Sequence, residues 1–154
     1  MSDKIQVRKA VLEDWEVIAR FNTAMAMETE KKELPLPVIS AGVRAVFRNP
    51  GHGFYAVAEM DKNIVGCLMV TPEWSDWRNG VFWWIQSVYV RPEFRQQGVY
   101  RALYEFVKNA APENPEVCGF RLYVEKENLR AQKTYRVLGM EETDYRLYEE
   151  SVRK

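Results

Sequence analysis

The sequence predicts a single domain of the α/β (α+β) class: a central mixed, mostly antiparallel sheet of about six or seven strands with helices on both faces. Three observations carry this. A chain of 154 residues has room for one ordinary hydrophobic core and is too short for two. Its segments switch between strand and helix periodicity in the order β-α-α-β-β-β-α-β-α-β, and strands that follow one another directly pair antiparallel. Val81 to Val90 is apolar on both alternating sets, as a strand covered on both faces must be.

Each element follows from the residues in turn. An alternating run around Ile5 to Val11 reads as the first strand. Glu13 and Asp14 suit a helix start, where acids meet the positive end of the helix dipole, and Trp15, Ile18, Asn22 and Met25 follow at helical spacing to about Glu28. The charged segment Glu28 to Pro37 ends that helix. A second one carries Ile39, Val43, Val46 and Phe47 until Asn49-Pro50-Gly51 stops it. Phe54 to Glu59 and Ile64 to Val70 are strands joined by the hairpin turn Met60-Asp61-Lys62-Asn63. The central strand leads through Arg91-Pro92 into a helix carrying Val99, Leu103, Phe106, Val107 and Ala110, which Pro112 to Pro115 ends. Phe120 to Val124 is a further strand, Leu129 to Leu138 a further helix, and Tyr145 to Tyr148 a closing strand. No linker divides the chain, so residues 1–154 read as one domain.

Composition removes several functions. Basic and acidic side chains cancel, 22 against 22, so no global field gathers nucleic acid or anionic lipid, and neither is an expected partner. The one histidine, His52, sits in a loop, and no metal site is expected. Cys67 and Cys118 lie in separate apolar segments without metal or disulfide spacing, which fits reduced thiols in the cytoplasm. The longest apolar stretch, Val81-Phe82-Trp83-Trp84-Ile85, is far short of a membrane span, and Met1-Ser2-Asp3-Lys4 opens no signal peptide.

Two segments carry chemistry. Arg95-Gln96-Gln97-Gly98-Val99-Tyr100-Arg101 places a glycine where strand gives way to helix. Unpartnered N–H groups and the helix dipole there can cradle phosphate oxygens, with Arg91, Arg95 and Arg101 adding positive charge; read alone, the segment is equally a plain tight turn. Further on, Asn128 caps the helix from Leu129, Ala131 and Tyr135 project from one face four residues apart, and Gly139 stops it. A capped amphipathic helix explains each of these residues separately, but not the two segments together.

Together they resemble the GCN5-related N-acetyltransferase (GNAT) superfamily. Its acetyl-CoA loop reads Arg/Gln-x-x-Gly-x-Gly/Ala, and its later helix reads Asn-x-x-Ala-x-x-x-Tyr-x-x-x-Gly-Phe. The chain matches with Arg95 to Tyr100 and Asn128 to Met140, and the element order matches from end to end. Met140 stands for phenylalanine, a mild apolar swap. Tyr100 stands for a small residue and narrows the diphosphate site unless its ring runs along the helix.

The resemblance implies a GNAT-like fold and an acetyl-CoA-dependent N-acetyltransferase in which the central strand splays near Val88, Tyr89 and Val90 to bind the pantetheine arm. Arg95, Gln96, Gln97, Gly98, Val99, Tyr100 and Arg101 would take the diphosphate, and Asn128 and Ala131 would help hold the arm. Tyr135 would protonate the departing thiolate, a task suited to a phenol with reference pKa about 10. Many relatives carry an acid or histidine on the central strand to deprotonate the amine. Here that strand offers Trp83, Trp84, Gln86 and Ser87, so Glu73, Glu28 and Glu30 are the candidate bases, unless water serves.

The acceptor side is read from Glu28, Glu30, Glu73 and Asp76 beside Met25, Met27, Trp74, Trp77, Trp84 and Gln86. In the family architecture these would border one opening, where acids and indole faces attract a protonated small-molecule amine. Trp83 and Trp84 serve either core or cleft. Trp74 and Trp77 line a binding surface, fold back over the sheet or pack a homodimer. The rival to an enzyme is a non-catalytic acyl-CoA-binding sensor module, which the missing strand carboxylate favours and Tyr135 disfavours.

Overall fold

The structure, a computed structural model, describes residues 4–153. It begins with β1 (Gln6–Lys9) and α1 (Trp15–Glu30). Asp14 does not cap α1 with its side chain; its carboxylate takes two hydrogen bonds from Arg8, at 2.8 and 3.1 Å, and one from the Val11 N–H at 2.8 Å. Burial alone would raise this carboxyl, but the Arg8 and Val11 bonds outweigh it and hold Asp14 below the ordinary range. That buried pair ties β1 to the helix start. Lys31, in the left-handed region, ends α1.

α2 (Leu36–Arg48) begins earlier than its apolar spacing predicts, with Pro37 inside the first turn, where a missing N–H costs no helical bond. β2 (Phe54–Met60) and β3 (Asn63–Ser75) are joined by Asp61 and Lys62, both left-handed as a two-residue hairpin requires. β4 (Gly80–Val90), α3 (Val99–Ala110) and β5 (Val117–Arg121) follow. The sheet runs β1-β2-β3-β4-β5; the first four strands are antiparallel and β5 lies parallel to β4.

Alternation assigns the two faces. Tyr55, Val57, Cys67 and Tyr89 pack with Ile18, Phe21, Val43 and Val46 of α1 and α2. The intervening residues look the other way: a Cβ at Gly66 would meet Val99 and Leu103 of α3. Helices therefore cover both faces. One extra residue breaks the alternation in β4, because Met69 pairs with Gln86 and Cys67 with Tyr89. This is a β-bulge, with Ser87 at φ +51°.

Three expectations change. β3 runs on to Ser75, so the β3-β4 hairpin is an arm closed by Asp76 to Asn79. β5 starts at Val117, three residues before its predicted first residue, Phe120, and ends at Arg121. Tyr145 to Tyr148 pairs with no strand and its side chains are exposed; alternation alone does not make a strand without a hydrogen-bonded neighbour, so five strands replace the predicted six or seven among the described residues. The chain divides into two compact units at Tyr123 and Val124. The second contains α4 (Leu129–Val137). Among the described residues no helix is long and apolar enough to cross a membrane.

Candidate active site

β4 is paired with β3 along its whole length, yet its pairing with β5 stops at Trp84 opposite Arg121. From Ile85 to Val90 the other edge of β4 carries no β5 partner among the described residues, and of its backbone groups the Val90 carbonyl is taken by Arg95. The family resemblance implied a divergence near Val88 to Val90; pairing already stops after Trp84, and the bulge at Ser87 was not expected. The strand ends in a short turn, Pro92–Phe94, and α3 starts after Gly98 at φ +87°. The first helical bond of α3 runs from the Ala102 N–H to the Gly98 carbonyl, so the N–H groups of the preceding turn point out of the helix end. A Cβ at Gly98 would meet nothing within 4 Å. The glycine serves its left-handed backbone, not internal packing. Gln96, at φ +64°, shares the left-handed region.

The arginines of this loop are not all turned to a ligand. Arg95 donates from Nε to the Val90 carbonyl at 2.7 Å and from Nη2 to Glu28 Oε1 at 2.9 Å, with its guanidinium 5.4 Å from the Tyr89 ring centre. The Tyr89 hydroxyl donates to Glu28 Oε2 at 2.9 Å. Arg95 first, and Tyr89 after it, hold the Glu28 carboxyl below its ordinary range against the opposing effect of burial. Arg91 pairs with Glu93 at 2.8 Å. Arg101 remains exposed. Tyr100 pairs with the next turn of α3, its ring 6.2 Å from that of Tyr104.

The acids and indoles do not share the one opening expected for them. Glu28 and Glu30 both lie in the last turn of α1 rather than between helices, and Glu28 is committed to Arg95 and Tyr89, which makes it a poor base. Glu30 is exposed. Glu73 and Trp74 are successive residues of β3, so they point to opposite faces. Glu73 shares its face with Phe82, Trp84, Gln86 and Arg121; its Oε1 accepts from Trp84 Nε1 at 2.8 Å and Arg121 Nη1 at 2.9 Å. Gln86 donates to the Thr71 hydroxyl on the same face. Trp83 is core, packed edge-on against Phe54 at 5.4 Å. Trp77, in the hairpin turn, is 87% exposed and does not fold back over the sheet.

In the second unit Asn128 caps α4 as expected, its Oδ1 accepting from the Ala131 N–H at 3.1 Å. Gly139, at φ +104°, closes the helix: the Gly139 N–H reaches the Arg136 carbonyl and the Met140 N–H the Tyr135 carbonyl, at 3.1 and 3.0 Å. This paired closure fixes the backbone of Tyr135. Sequence reading gave no role to Arg78, Arg121 and Tyr123. Arg121 would have needed the β4-β5 register, which periodicity does not encode. Among the described residues no three His, Cys, Asp or Glu side chains are grouped as a metal ion needs.

The acetyltransferase (GNAT) family profile matches residues 12–140. A possible acetyltransferase from Clostridium difficile 630 is 45% identical, with a TM-score of 0.89 over 97% of this chain and 99% of that one. At 18% identity, where likeness speaks for the fold alone, two further structures superpose. A predicted acetyltransferase from Clostridium acetobutylicum, solved with acetyl-CoA, has a TM-score of 0.78 over 96% of each chain. AAC(6')-Iy, solved with the bisubstrate analogue CoA-S-monomethyl-acetylneamine, has 0.77 over 97% of this chain and 99% of that one. No curated protein sequence matches. With most of its length matched by one family profile and the sheet and helices of that fold in place, the chain belongs to the GNAT acetyltransferase family.

Proposed function

We propose that the protein is an acetyl-CoA-dependent N-acetyltransferase, residues 1–154 forming one catalytic domain, that acetylates a primary amine of a small molecule by direct attack on the thioester. The observation that carries this reading is the divergence of β4 from β5 beyond Trp84, ending at a helix start where Gly98 leaves open space. An extended arm needs a free strand edge and a diphosphate needs outward N–H groups without a side chain in the way. The residues present fit both needs.

Bound acetyl-CoA supplies an acetyl group already activated as a thioester. The turn from Gln96 to Arg101 binds phosphate oxygens through backbone N–H groups, and Val88 to Val90 bind the arm along the edge of β4 away from β3, save the Val90 carbonyl that Arg95 holds. Asn128 spends its side-chain oxygen on the cap of α4, which positions the helix that carries Tyr135. Tyr135 holds the proton that the leaving sulfur needs. On the acceptor side, Trp84 and Gln86 offer a flat apolar wall and an amide on one face. Glu30 and the second oxygen of Glu73, Oε2, remain the candidate proton acceptors, while Glu28, with both oxygens engaged, is a positioning group. The protein acts in the cytoplasm.

The pairing of Glu28 and Glu73 with arginines favours a second reading, a sensor that binds acyl-CoA without turnover. Release of free CoA across a panel of primary amines separates the two. Acetyl-CoA raises the melting temperature under either reading; amine-dependent CoA release occurs only with the enzyme. Stabilisation without release across the panel leaves the sensor, and absence of stabilisation removes both readings.

A further inference from the structure

The hairpin arm places two guanidinium groups on one ring. Phe82 pairs across the strands with Glu73 on one side and Gly119 on the other, and a Cβ at Gly119 would come within 2.8 Å of the Phe82 ring. Arg121 lies over that ring at 3.7 Å from its centre and Arg78 at 4.9 Å. Phe82 is thereby 8% exposed although it stands near the end of the arm. One guanidinium would serve to cover it. A second brings a further positive charge to the same ring, which a purely structural cover does not need.

The two guanidinium groups are not equally committed. Glu73 is the one carboxylate in hydrogen-bond contact with this group, and its Oε1 already accepts from Arg121 and Trp84. Asp76 lies in the same turn as Arg78, yet among the described residues no carboxylate forms an ion pair with Arg78. Arg121 is spent on Glu73, whereas Arg78 is exposed and in no ion pair among the described residues, a planar group suited to paired hydrogen bonds with an oxyanion. Beside them, the Trp84 ring lies 6.0 Å from Tyr123 at an angle of 58°, a half-open aromatic wall. Gln86, two strand steps or about 7 Å further along the same face, leads to the bulge at Ser87.

We propose that the acceptor carries an anionic group in addition to its amine, and that Arg78, with Arg121, binds that group as a specificity determinant. This rests on the acetyltransferase reading: the amine faces the bulge, an apolar or aromatic body lies along Trp84, and a carboxylate reaches the two arginines. It reverses the preference for cationic acceptors read from the acids of the sequence, because the structure pairs Glu28 and Glu73 with arginines and, among the described residues, leaves Arg78 outside any ion pair. No new bond chemistry is required.

The test compares benzylamine with 4-(aminomethyl)benzoate, which differ by one carboxylate, as acceptors for the full chain with acetyl-CoA. Wild type should favour the carboxylate by about tenfold in kcat/KM, chiefly through KM, as expected for a charge-assisted hydrogen bond. Arg78→Gln should bring the ratio close to one by raising KM for the carboxylate compound, and Arg78→Lys should restore part of it. Stabilisation by acetyl-CoA serves as the control that each variant is folded. If neither amine is acetylated, quenching of tryptophan fluorescence by the two compounds, with CoA present, reads the same preference as binding. Equal handling of the pair by wild type, or a preference that Arg78→Gln leaves unchanged, overturns the proposal. Carboxylate binding that depends on Arg78 but comes with no acetyl-CoA stabilisation would keep an anion site and remove the acetyltransferase reading instead.

Discussion

Glu28 joins three parts of the fold that the chain brings from far apart: the last turn of α1, the end of β4 and the loop before α3. Its partner Arg95 also grips the Val90 carbonyl, so the end of the open strand and the start of the loop are held in one clamp. Glu28→Gln keeps the shape and removes the charge; it should raise KM for acetyl-CoA by about threefold to tenfold with a smaller change in kcat. Arg95→Ala should do the same. The double variant should lose little more than either single one, because both changes break one interaction; additive losses in that cycle would show the two residues act separately. The pH dependence has a definite sign. A carboxyl held below its ordinary pKa stabilises the clamp at neutral pH, and that contribution disappears as pH falls through the depressed value. Acetyl-CoA affinity of wild type should therefore fall on acidification below the ordinary carboxylate range, while that of Glu28→Gln should stay flatter, as equilibrium binding can report. At Tyr135, removal of the hydroxyl alone separates chemistry from binding. Tyr135→Phe should lower turnover by about 10- to 1000-fold and leave acetyl-CoA affinity nearly intact. Turnover equal to wild type, with chemistry rate-limiting, would hand the proton to another group.

Secondary elements meet at two backbone exceptions, Ser87 in β4 and Gly98 before α3. A β-branched residue at φ +87° is strained by about 1–2 kcal/mol, and its side chain would fill the space outside the turn. Gly98→Val should remain folded, because nothing inside the protein would clash, and should lose the melting shift given by acetyl-CoA. An undiminished shift would move the cofactor site elsewhere. Gly98 was legible in the sequence because a glycine between a strand pattern and a helix pattern marks the join. Ser87 was not: a bulge exists only relative to Cys67 and Met69 on the neighbouring strand, and nothing local distinguishes the serine. The same division runs through the other elements. Apolar stripes located the first three helices and the central strand, since burial sets their period. The extension of β3 through Glu73 to Ser75 was hidden because that arm lies beyond β2 and its exposed side chains carry no apolar alternation. Asn128 and Gly139 were readable as caps, for capping is a local act. The partnerships of Glu28 with Arg95 and of Glu73 with Arg121 span 67 and 48 positions, so these acids read as free when the structure commits them.

Across the whole molecule, burial is concentrated in the first unit. Among the described residues every buried side chain, from Ala10 to Val107, precedes Tyr123, and none follows it. α4 has 9 residues, below the length at which an isolated helix is stable in water, and its two caps satisfy its ends without supplying a core. A peptide of residues 124–154 should accordingly give the circular dichroism of a coil; strong helicity in the peptide would show that local sequence suffices. The two thiols report the other side of this asymmetry. Cys118 is exposed, whereas Cys67 is fully buried against α1 and α2, where the apolar surroundings push its thiol up to about 12. A thiol reagent needs both access and thiolate, and Cys67 has neither until the sheet parts from the helices. One thiol per native chain should react at once and the second about a thousandfold or more slowly, at a rate set by opening of the core. Since acetyl-CoA bound to the open edge of β4 would stabilise only the closed core, it should slow the second reaction further while leaving Cys118 unaffected. Rapid reaction of both thiols in the native protein would mean that the core of the first unit opens far more readily than its burial implies.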